Sequence, residues 1–512
     1  MSAERPAALP AVEVDGLTVL RAPAVDGRSA GGLVFRVGHA DEALTQAGLT
    51  HLTEHLALHF SDPTKLHSNG MTGPNLTHFH SSGRLEDVVD FLNRVAAALR
   101  SLPLDRLDTE KSVLRAEAAR RQRGTDPIHT WRYGAQGYGI ASYAELGLHG
   151  AGPEDVAAWA ARWFTTGNAV AWLVADEMPS GLDLRLAPGE RVPAPPVRSI
   201  LAPGPASYPG PDGVVLGSTL VARSSASRIY ASVLEQALYR ELRQIGGYSY
   251  SPAATYDPLT GDTATIYAVA DALPENQGAV VGGLVDVLAR LRLGAIDEAD
   301  IAAAVLNVRQ QLDHPDVRSL RLPSDAGDLL LGHRSASEEE LHAELDAVDA
   351  EAVRAVAEQA HRSMLLQVPE GRVDWAGYAS APEWNGQSYD GVTAAFVRQP
   401  GAGITAGPGG LSLRSEDETT GFAWGELAAV LAYPDGARTL VGRDGFQVHV
   451  EPNVLGREVA QVLATIAQRV DPALVVAMPA RHPDRIPPVP DPKAEKRAAR
   501  ARTGRWGRGG RG

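Results

Sequence analysis

His51-Leu52-Thr53-Glu54-His55 is the stretch of sequence that decides both the fold and the expected chemistry of this chain. It follows Gly48-Leu49-Thr50, and its apolar neighbours predict a short amphipathic helix. Residues four apart share one face of a helix, so His51 and His55 can present two imidazoles to a single ion. Glu54 would lie on nearly the same face. A catalytic zinc takes three protein ligands and keeps one position open, so the motif predicts a metal site that needs one more ligand.

Composition limits the choice of that ligand. The chain has 512 residues, enough for about three domains, and its 44% hydrophobic content is typical of globular proteins. It contains no cysteine, which leaves histidine and carboxylate side chains as zinc ligands. No run approaches the roughly 18 apolar residues of a membrane span, and Met1–Val12 lacks the pattern of a secretory signal. We therefore expect a cytoplasmic protein.

The net charge of −14 is unevenly distributed. Residues 493–512 contain eight Lys or Arg and one Glu and carry about +7, so the rest of the chain carries about −21. This acidic body argues against binding of nucleic acid by the main part of the protein. The tail, with spaced arginines, glycines and Trp506, predicts disorder; it could contact RNA, an anionic membrane or an acidic protein surface.

Composition shifts and turn-forming residues divide the chain into five segments. These are an N-terminal domain with the metal motif, a Pro/Gly-rich linker, a second domain of similar pattern, a smaller third domain and a basic tail: 1–186, 187–211, 212–370, 371–478 and 479–512.

The first two domains are predicted to be divergent copies of one unit. Each contains a long amphipathic helix, Leu85–Leu99 or Gln277–Leu291, and ends with a helix that leads into a strand, Ala169–Val174 or Met364–Val368. Strands alternating with paired helices predict an α+β sandwich, with helices against one face of a sheet. The second copy has no counterpart of the two-histidine motif, which favours a specific function for the first copy.

The helix predicted over Asp108–Glu117 places Glu110 and Glu117 two turns apart on one face. With this helix added, residues 17–370 resemble the pitrilysin/insulinase family of inverted-zincin metallopeptidases, which includes the mitochondrial processing peptidases. The resemblance implies that His51, His55 and Glu117 bind one Zn²⁺ per chain. It also implies that Glu54 is the catalytic general base on a zinc-bound water and that Glu110 is an accessory catalytic acid.

Two further segments carry the resemblance. Asn69-Gly70-Met71-Thr72 is similar to the family's Asn-Ala-x-Thr run, and residues 242–250 are similar to its Leu-Arg…Gly…Tyr segment. The family implies that Asn69, Arg243 and Tyr250 bind the substrate, a peptide held as an added β-strand in an enclosed chamber. Because the metal set and the Arg243/Tyr250 pair occur on one chain, a homodimer is favoured over pairing with a different subunit.

The chain also departs from the family pattern, in that the segment between His55 and Asn69 is short, so a helix near the cleft is expected to be missing. This departure keeps open a second hypothesis, a catalytically inactive protein that uses the peptidase fold for binding or assembly. His59, His78 and His80 are not assigned to the metal site.

The third domain is predicted to be built from short strands followed by a helix. Asp435-Gly436 and Asp444-Gly445 predict tight hairpins, and Gly456–Val470 predicts an amphipathic helix. A strand meander closed by one C-terminal helix resembles a small pleckstrin-homology-like β-barrel. Its strands lack a clear cluster of basic residues, which favours contact with another protein over a lipid headgroup.

Overall fold

The structure, a computed structural model, describes residues 11–24, 27–60, 68–120, 127–369, 371–416 and 418–489. It forms two compact units that divide between Ala381 and Pro382.

The described part of the first unit contains two six-stranded sheets. The first sheet has the order β1-β2-β6-β3-β5-β4. Its strands are β1 (Ala11–Val14), β2 (Leu17–Ala22), β3 (Ser29–Phe35), β4 (Ser68–Thr72), β5 (Thr77–Gly83) and β6 (Ala169–Val174). The helices of this half are α1 (Leu49–Ala57), α2 (Leu85–Arg100), α3 (Leu107–Arg120), α4 (Pro127–Tyr133), α5 (Gly147–Gly150) and α6 (Pro153–Trp163).

The second sheet has the order β12-β7-β11-β8-β10-β9. Its strands are β7 (Ala206–Gly210), β8 (Val214–Ala222), β9 (Ala253–Pro258), β10 (Thr263–Asp271), β11 (Leu365–Pro369) and β12 (Ala379–Ser380). The helices of this half are α7 (Ser225–Leu238), α8 (Gln277–Arg292), α9 (Glu298–Leu312), α10 (Val317–Leu330), α11 (Glu338–Asp346) and α12 (Ala350–Arg362).

Five strands follow one order in both sheets, β2-β6-β3-β5-β4 in the first and β7-β11-β8-β10-β9 in the second. The predicted α+β class with two similar halves is therefore confirmed. On one face of the first sheet, Leu52 and Leu56 of α1 pack in one core with Phe35 and Phe79. This packing holds the polar face of α1 away from the sheet.

The two halves exchange helices across their sheets. The other face of the first sheet is covered by α10 of the second half, which places Leu322, Ala326 and Leu330 against a strand surface that includes Val34 and Trp172. In return, α4 of the first half packs on the second sheet, where Ile128 lies in one cluster with Tyr208 and Leu365. Alternate residues of β6 face these two layers, which explains why all six of its residues are buried.

Segment boundaries differ in places from the predicted ones. Residues 206–210 of the predicted linker 187–211 form the strand β7, since they pair with β11. β12 extends the second sheet beyond residue 370. Residues 479–489 of the predicted tail are described; Arg481 in this segment forms ion pairs with Asp435 and Glu451. Residues 490–512 of that tail lie outside the described residues.

In its described residues, 382–416 and 418–489, the second unit contains two four-stranded sheets and one α-helix of 11 residues. The sheets have the orders β13-β14-β15-β16 and β19-β18-β17-β20. The elements are β13 (Val392–Ala395), β14 (Gly403–Ala406), β15 (Gly410–Ser415), β16 (Glu418–Ala423), β17 (Leu427–Ala432), β18 (Arg438–Gly442), β19 (Gln447–Val450), α13 (Val459–Arg469) and β20 (Val475–Ala477).

The two hairpins predicted in this unit are confirmed. β17 pairs with β18 across Asp435-Gly436, and β18 pairs with β19 across Asp444-Gly445. Gly436 and Gly445 have φ values of +91° and +86°, which tight hairpins require and which glycine adopts without steric cost. Val462 and Ile466 of α13 are buried in the core that both sheets share.

Within the described residues, no helix has the length and apolar character that crossing a bilayer would require.

Candidate metal centre

Helix α1 presents its polar face to a group of carboxylates. Its N-cap, Gly48, has a φ of +96°, and a Cβ atom there would lie 2.7 Å from Cβ of Glu145. Glycine is therefore required at this position both by the backbone conformation and by the close approach of the Glu145 segment. The apolar face of α1 is fixed in the core, so His51 and His55 point away from it.

His51, His55 and Glu117 are brought together. One donor atom of each lies within 4.8 Å of the donor atoms of the other two. Nε2 of His51 is 3.9 Å from Oε2 of Glu117, and Nε2 of His55 is 3.7 Å from Oε1 of the same carboxylate. Tetrahedral zinc with bonds of about 2.0–2.2 Å places its donors roughly 3.3–3.5 Å apart, so the three donors must draw closer together to bind the ion. The donor set fits zinc.

Each imidazole has a second carboxylate near its other nitrogen. Nδ1 of His51 is 2.7 Å from Oε1 of Glu145, a hydrogen bond that orients the ring and directs Nε2 toward Glu117. Nδ1 of His55 is 3.5 Å from Oε2 of Glu110, an ion-pair distance that is too long for a good hydrogen bond. Glu110 is itself held by Arg106, whose Nη2 donates to it at 2.8 Å. Glu110 therefore lies beside a predicted ligand.

Glu145 was missed by the sequence reasoning. It lies 94 residues beyond His51 in a stretch without a motif, and no pattern in the sequence connects the two positions.

Glu54 is buried next to the histidine pair, with 4% of its surface exposed. The Thr72 hydroxyl donates to its Oε2 at 2.6 Å. Burial raises the pKa of Glu54, and the Thr72 hydrogen bond and the two histidines oppose that effect. A Cβ atom at Gly70 would lie 2.5 Å from Oε1 of Glu54, so β4 reaches this carboxylate closely because residue 70 is glycine.

Glu42 holds the start of α1 and was also missed by the sequence reasoning. Its two oxygens accept hydrogen bonds from the backbone N–H groups of Gly48 (2.9 Å) and Thr50 (2.7 Å). A carboxylate in this position satisfies N–H groups that lack partners within the helix, and it interacts favourably with the helix dipole. Burial raises the pKa of Glu42 to about 7.

The raised pKa of Glu42 predicts a pH-dependent stability. In the unfolded chain its pKa is near 4.5, so the folded state binds its proton more tightly. The resulting stabilisation is complete below pH 4.5 and is lost as the pH rises to about 7. We expect the free energy of unfolding of wild type, relative to Glu42→Gln, to fall by about 3 kcal/mol across that interval. Denaturant unfolding at several pH values measures it, and parallel pH curves for the two proteins would contradict it.

A cavity of about 330 Å³ lies beside His51 and Glu54. Its other lining residues include Met71 and Thr72 of β4 and Tyr143. β4 is the last strand of the first sheet and pairs with β5 on one side only, among the residues that the structure describes. Asn69 lies exposed on this edge strand. The cavity therefore combines His51, the buried carboxylate of Glu54 and an open strand edge.

The remaining predicted site residues, Arg243 and Tyr250, contact each other in the second half. The Arg243 guanidinium lies 4.8 Å from the centre of the Tyr250 ring, and Tyr250 is 73% exposed. Neither residue is among the described residues that line the cavity beside His51. The structure thus groups His51, Glu54, His55, Glu110 and Glu117, with Asn69 on the adjacent strand, and shows Arg243 and Tyr250 as a separate pair.

The other histidines considered have different partners. Nδ1 of His59 is 3.0 Å from the carbonyl oxygen of Leu56. His78 accepts a hydrogen bond from Nε1 of Trp172 on the opposite face of the sheet from α1, and its ring lies against that of His80. None of the three joins the group His51, His55 and Glu117.

Replacing Glu145 tests its orienting role. We expect Glu145→Gln to weaken zinc binding by about 10- to 100-fold, because the amide is a weaker acceptor for the Nδ1–H of His51. Competition with a chromophoric chelator measures the affinity. Glu177→Gln, at an exposed position, is the control and should bind zinc like wild type. Equal affinity for wild type and Glu145→Gln would show that the hydrogen bond does not support the centre.

Comparison with known proteins identifies the fold. No family model matches the chain, and no curated protein sequence does. Several solved structures match the chain. A protease from Helicobacter pylori matches with a TM-score of 0.60 and 16% identity, over 70% of this chain and 99% of that protein. A peptidase M16 inactive domain from Pseudomonas fluorescens matches with a TM-score of 0.58 and 15% identity, over 71% and 99%. An M16-like peptidase from Alicyclobacillus acidocaldarius matches with a TM-score of 0.56 and 15% identity, over 72% and 100%. Over most of its length, the chain has the pitrilysin-like α+β fold of the M16-type peptidases.

Proposed function

We propose that the protein is a zinc-dependent endopeptidase whose metal ligands are His51, His55 and Glu117. The observation that carries this proposal is the convergence of these three donors beside the buried carboxylate of Glu54. The hydrogen bond of His51 to Glu145 supports it, because metal-binding imidazoles usually donate their second N–H to such a partner.

Zinc bound at this set would supply Lewis acidity, which polarises a carbonyl and makes water more acidic. Glu54 then accepts a proton from the attacking water and passes it to the leaving amine. Thr72 holds one oxygen of Glu54 by a hydrogen bond, which fixes the carboxylate plane and leaves the second oxygen to receive the proton.

The substrate is proposed to be a peptide that pairs with the open edge of β4. Strand addition satisfies backbone N–H and C=O groups along the edge and brings the peptide to the strand that carries Gly70 and Thr72 next to Glu54. Asn69 would contact the same peptide. Arg243 and Tyr250, stacked and exposed, are proposed to contact substrate from the opposite wall of a chamber that two copies of the chain enclose.

A second candidate function is a catalytically inactive binding or assembly protein. It is favoured by one structural neighbour, the peptidase M16 domain from Pseudomonas fluorescens, which is described as inactive. The short segment between His55 and Asn69 also motivates it, although residues 61–67 lie outside the described residues. The endopeptidase is preferred because this chain keeps three zinc donors, a buried carboxylate and two outer acids in one place.

The remaining parts of the proposal concern the rest of the chain. The second unit, with two four-stranded sheets and one described α-helix, α13, is proposed to be a pleckstrin-homology-like barrel that contacts a protein. A cytoplasmic location, suggested by the cysteine-free composition, is also proposed.

Two measurements on the purified full chain test the proposed function. Metal analysis should give one zinc per chain, and a library of unstructured peptides should be cleaved in the presence of zinc and not after treatment with a chelator. Stoichiometric zinc without cleavage of any peptide would favour the binding protein, and absence of zinc binding would reject the metal centre.

A further inference from the structure

Arg132 is a buried cation whose partners lie in the other half of the first unit. It is 2% exposed, on α4. Its Nη1 donates to the carbonyl oxygen of Ser363 at 2.9 Å, and its Nη2 donates to that of Ser218 at 2.5 Å. Within the described residues, no carboxylate forms an ion pair with it. A buried charge without an opposite charge is costly. The two hydrogen bonds to carbonyl oxygens fix the side chain to the second half, and an apolar side chain could not form them.

The helix that carries Arg132 is anchored in the second half by its other residues as well. Ile128 is fully buried in the cluster around Tyr208 and Leu365. The ring of Trp131 stacks on that of Tyr208 with their centres 5.0 Å apart. The position of α4 is therefore set by the second sheet, although its residues belong to the first half of the sequence.

The segment that follows α4 is packed tightly on it. The rings of Tyr133 and Tyr138 are 5.5 Å apart, and the backbone N–H of Thr130 donates to Oγ of Ser142. A Cβ atom at Gly139 would lie 1.9 Å from the carbonyl oxygen of Gly134, so the chain doubles back on itself in direct backbone contact. Residues 127–142 thus behave as one packed piece.

This piece ends at the metal centre. Ile140 and Tyr143 line the cavity beside His51, and Glu145 follows immediately with its hydrogen bond to His51. The backbone N–H of Gly147 donates to the carbonyl oxygen of Ala47, just before α1. A displacement of α4 would therefore be transmitted to the carboxylate that orients His51.

We propose that Arg132 is a positioning residue for the metal centre: by binding two carbonyls of the second half, it fixes the segment 127–145 and so holds Glu145 against His51. The inference rests on the proposed zinc site. It gives the second half, which has no metal motif of its own, a function in shaping the centre of the first.

The test is a double-mutant cycle on the full chain. Arg132→Met keeps an elongated side chain and removes the carbonyl contacts; we expect about tenfold weaker zinc binding in chelator competition, because Glu145 is no longer held in place. In a Glu145→Gln background the same substitution should cost no further affinity. Arg132→Lys retains one donor nitrogen, so its zinc affinity should fall between those of wild type and Arg132→Met. It replaces Arg132→Met in the test if the methionine variant does not fold. Equal zinc affinity of Arg132→Met and wild type, or an undiminished loss in the Glu145→Gln background, would overturn the proposal.

Two further measurements separate positioning from general destabilisation. Val287→Ala, in a different hydrophobic cluster of the second half, should lower the melting temperature without weakening zinc binding. Hydrogen exchange on the metal-free proteins should show loss of protection at residues 137–147 in Arg132→Met and not in Val287→Ala. This readout does not depend on zinc, so a wild-type protein that failed to bind zinc would reject the proposed function while exchange still decided the role of Arg132. Unchanged protection in Arg132→Met would overturn that role.

Discussion

Glu54→Gln is expected to retain zinc and to lower the rate of peptide hydrolysis by about 10²- to 10⁴-fold. Glutamine has nearly the same shape and can still accept the Thr72 hydrogen bond, but it cannot take a proton from water at neutral pH. The three zinc donors are untouched, so metal content should remain at one per chain. Rates on a cleaved library peptide and metal analysis of the same sample measure both effects.

Two controls sharpen this result. Glu177→Gln makes the same chemical change at an exposed position and should leave the rate unchanged. Thr72→Val removes the hydroxyl that holds Glu54 and should give a smaller loss than Glu54→Gln, since the carboxylate remains. If Glu54→Gln hydrolysed peptides as fast as wild type, with zinc bound, Glu54 would not be the general base.

His55→Ala is expected to abolish stoichiometric zinc binding. It removes one of three donors, which should cost more than the roughly 10- to 100-fold expected for loss of an outer partner such as Glu145. Equilibrium dialysis against buffered zinc measures the loss. His59→Ala is the matched control, because His59 lies just beyond the end of α1, interacts with the carbonyl of Leu56 and is outside the donor group.

Replacing both histidines separates the two candidate functions. A variant with both His51 and His55 replaced by alanine should lose all peptidase activity. If that variant nevertheless supported the biological role of the protein fully, the binding or assembly function would be the correct one. Equal zinc content of His55→Ala and wild type would reject the donor set.

Most of the fold could be predicted from local patterns. The strand Ala169–Val174 and the helices beginning at Leu85 and Gln277 are predicted at their observed starts, because apolar periodicity is a local signal. The hairpin turns of the second unit were found for the same reason. The group His51, His55 and Glu117 followed from helical spacing together with a family resemblance.

Features that depend on long-range packing could not be predicted. The contact of Glu145 with His51 joins residues that share no periodicity, and Glu42 holds α1 from a loop whose path the sequence does not reveal. The linker boundary was misplaced because β7 is short and ends in Pro209 and Gly210, residues that resemble a loop, while its strand state comes from pairing with β11. The exchange of α4 and α10 has no local signature.

That exchange has a consequence for synthesis of the protein. One face of the first sheet, including Val34 and Trp172, is covered by residues of α10 that are made about 150 positions after the last strand of that sheet. In the nascent chain, this apolar surface of the first sheet therefore stays exposed to solvent until residue 330 has emerged from the ribosome. Expression of residues 1–186 alone would leave this surface permanently bare, so such a truncated product should aggregate or associate with chaperones.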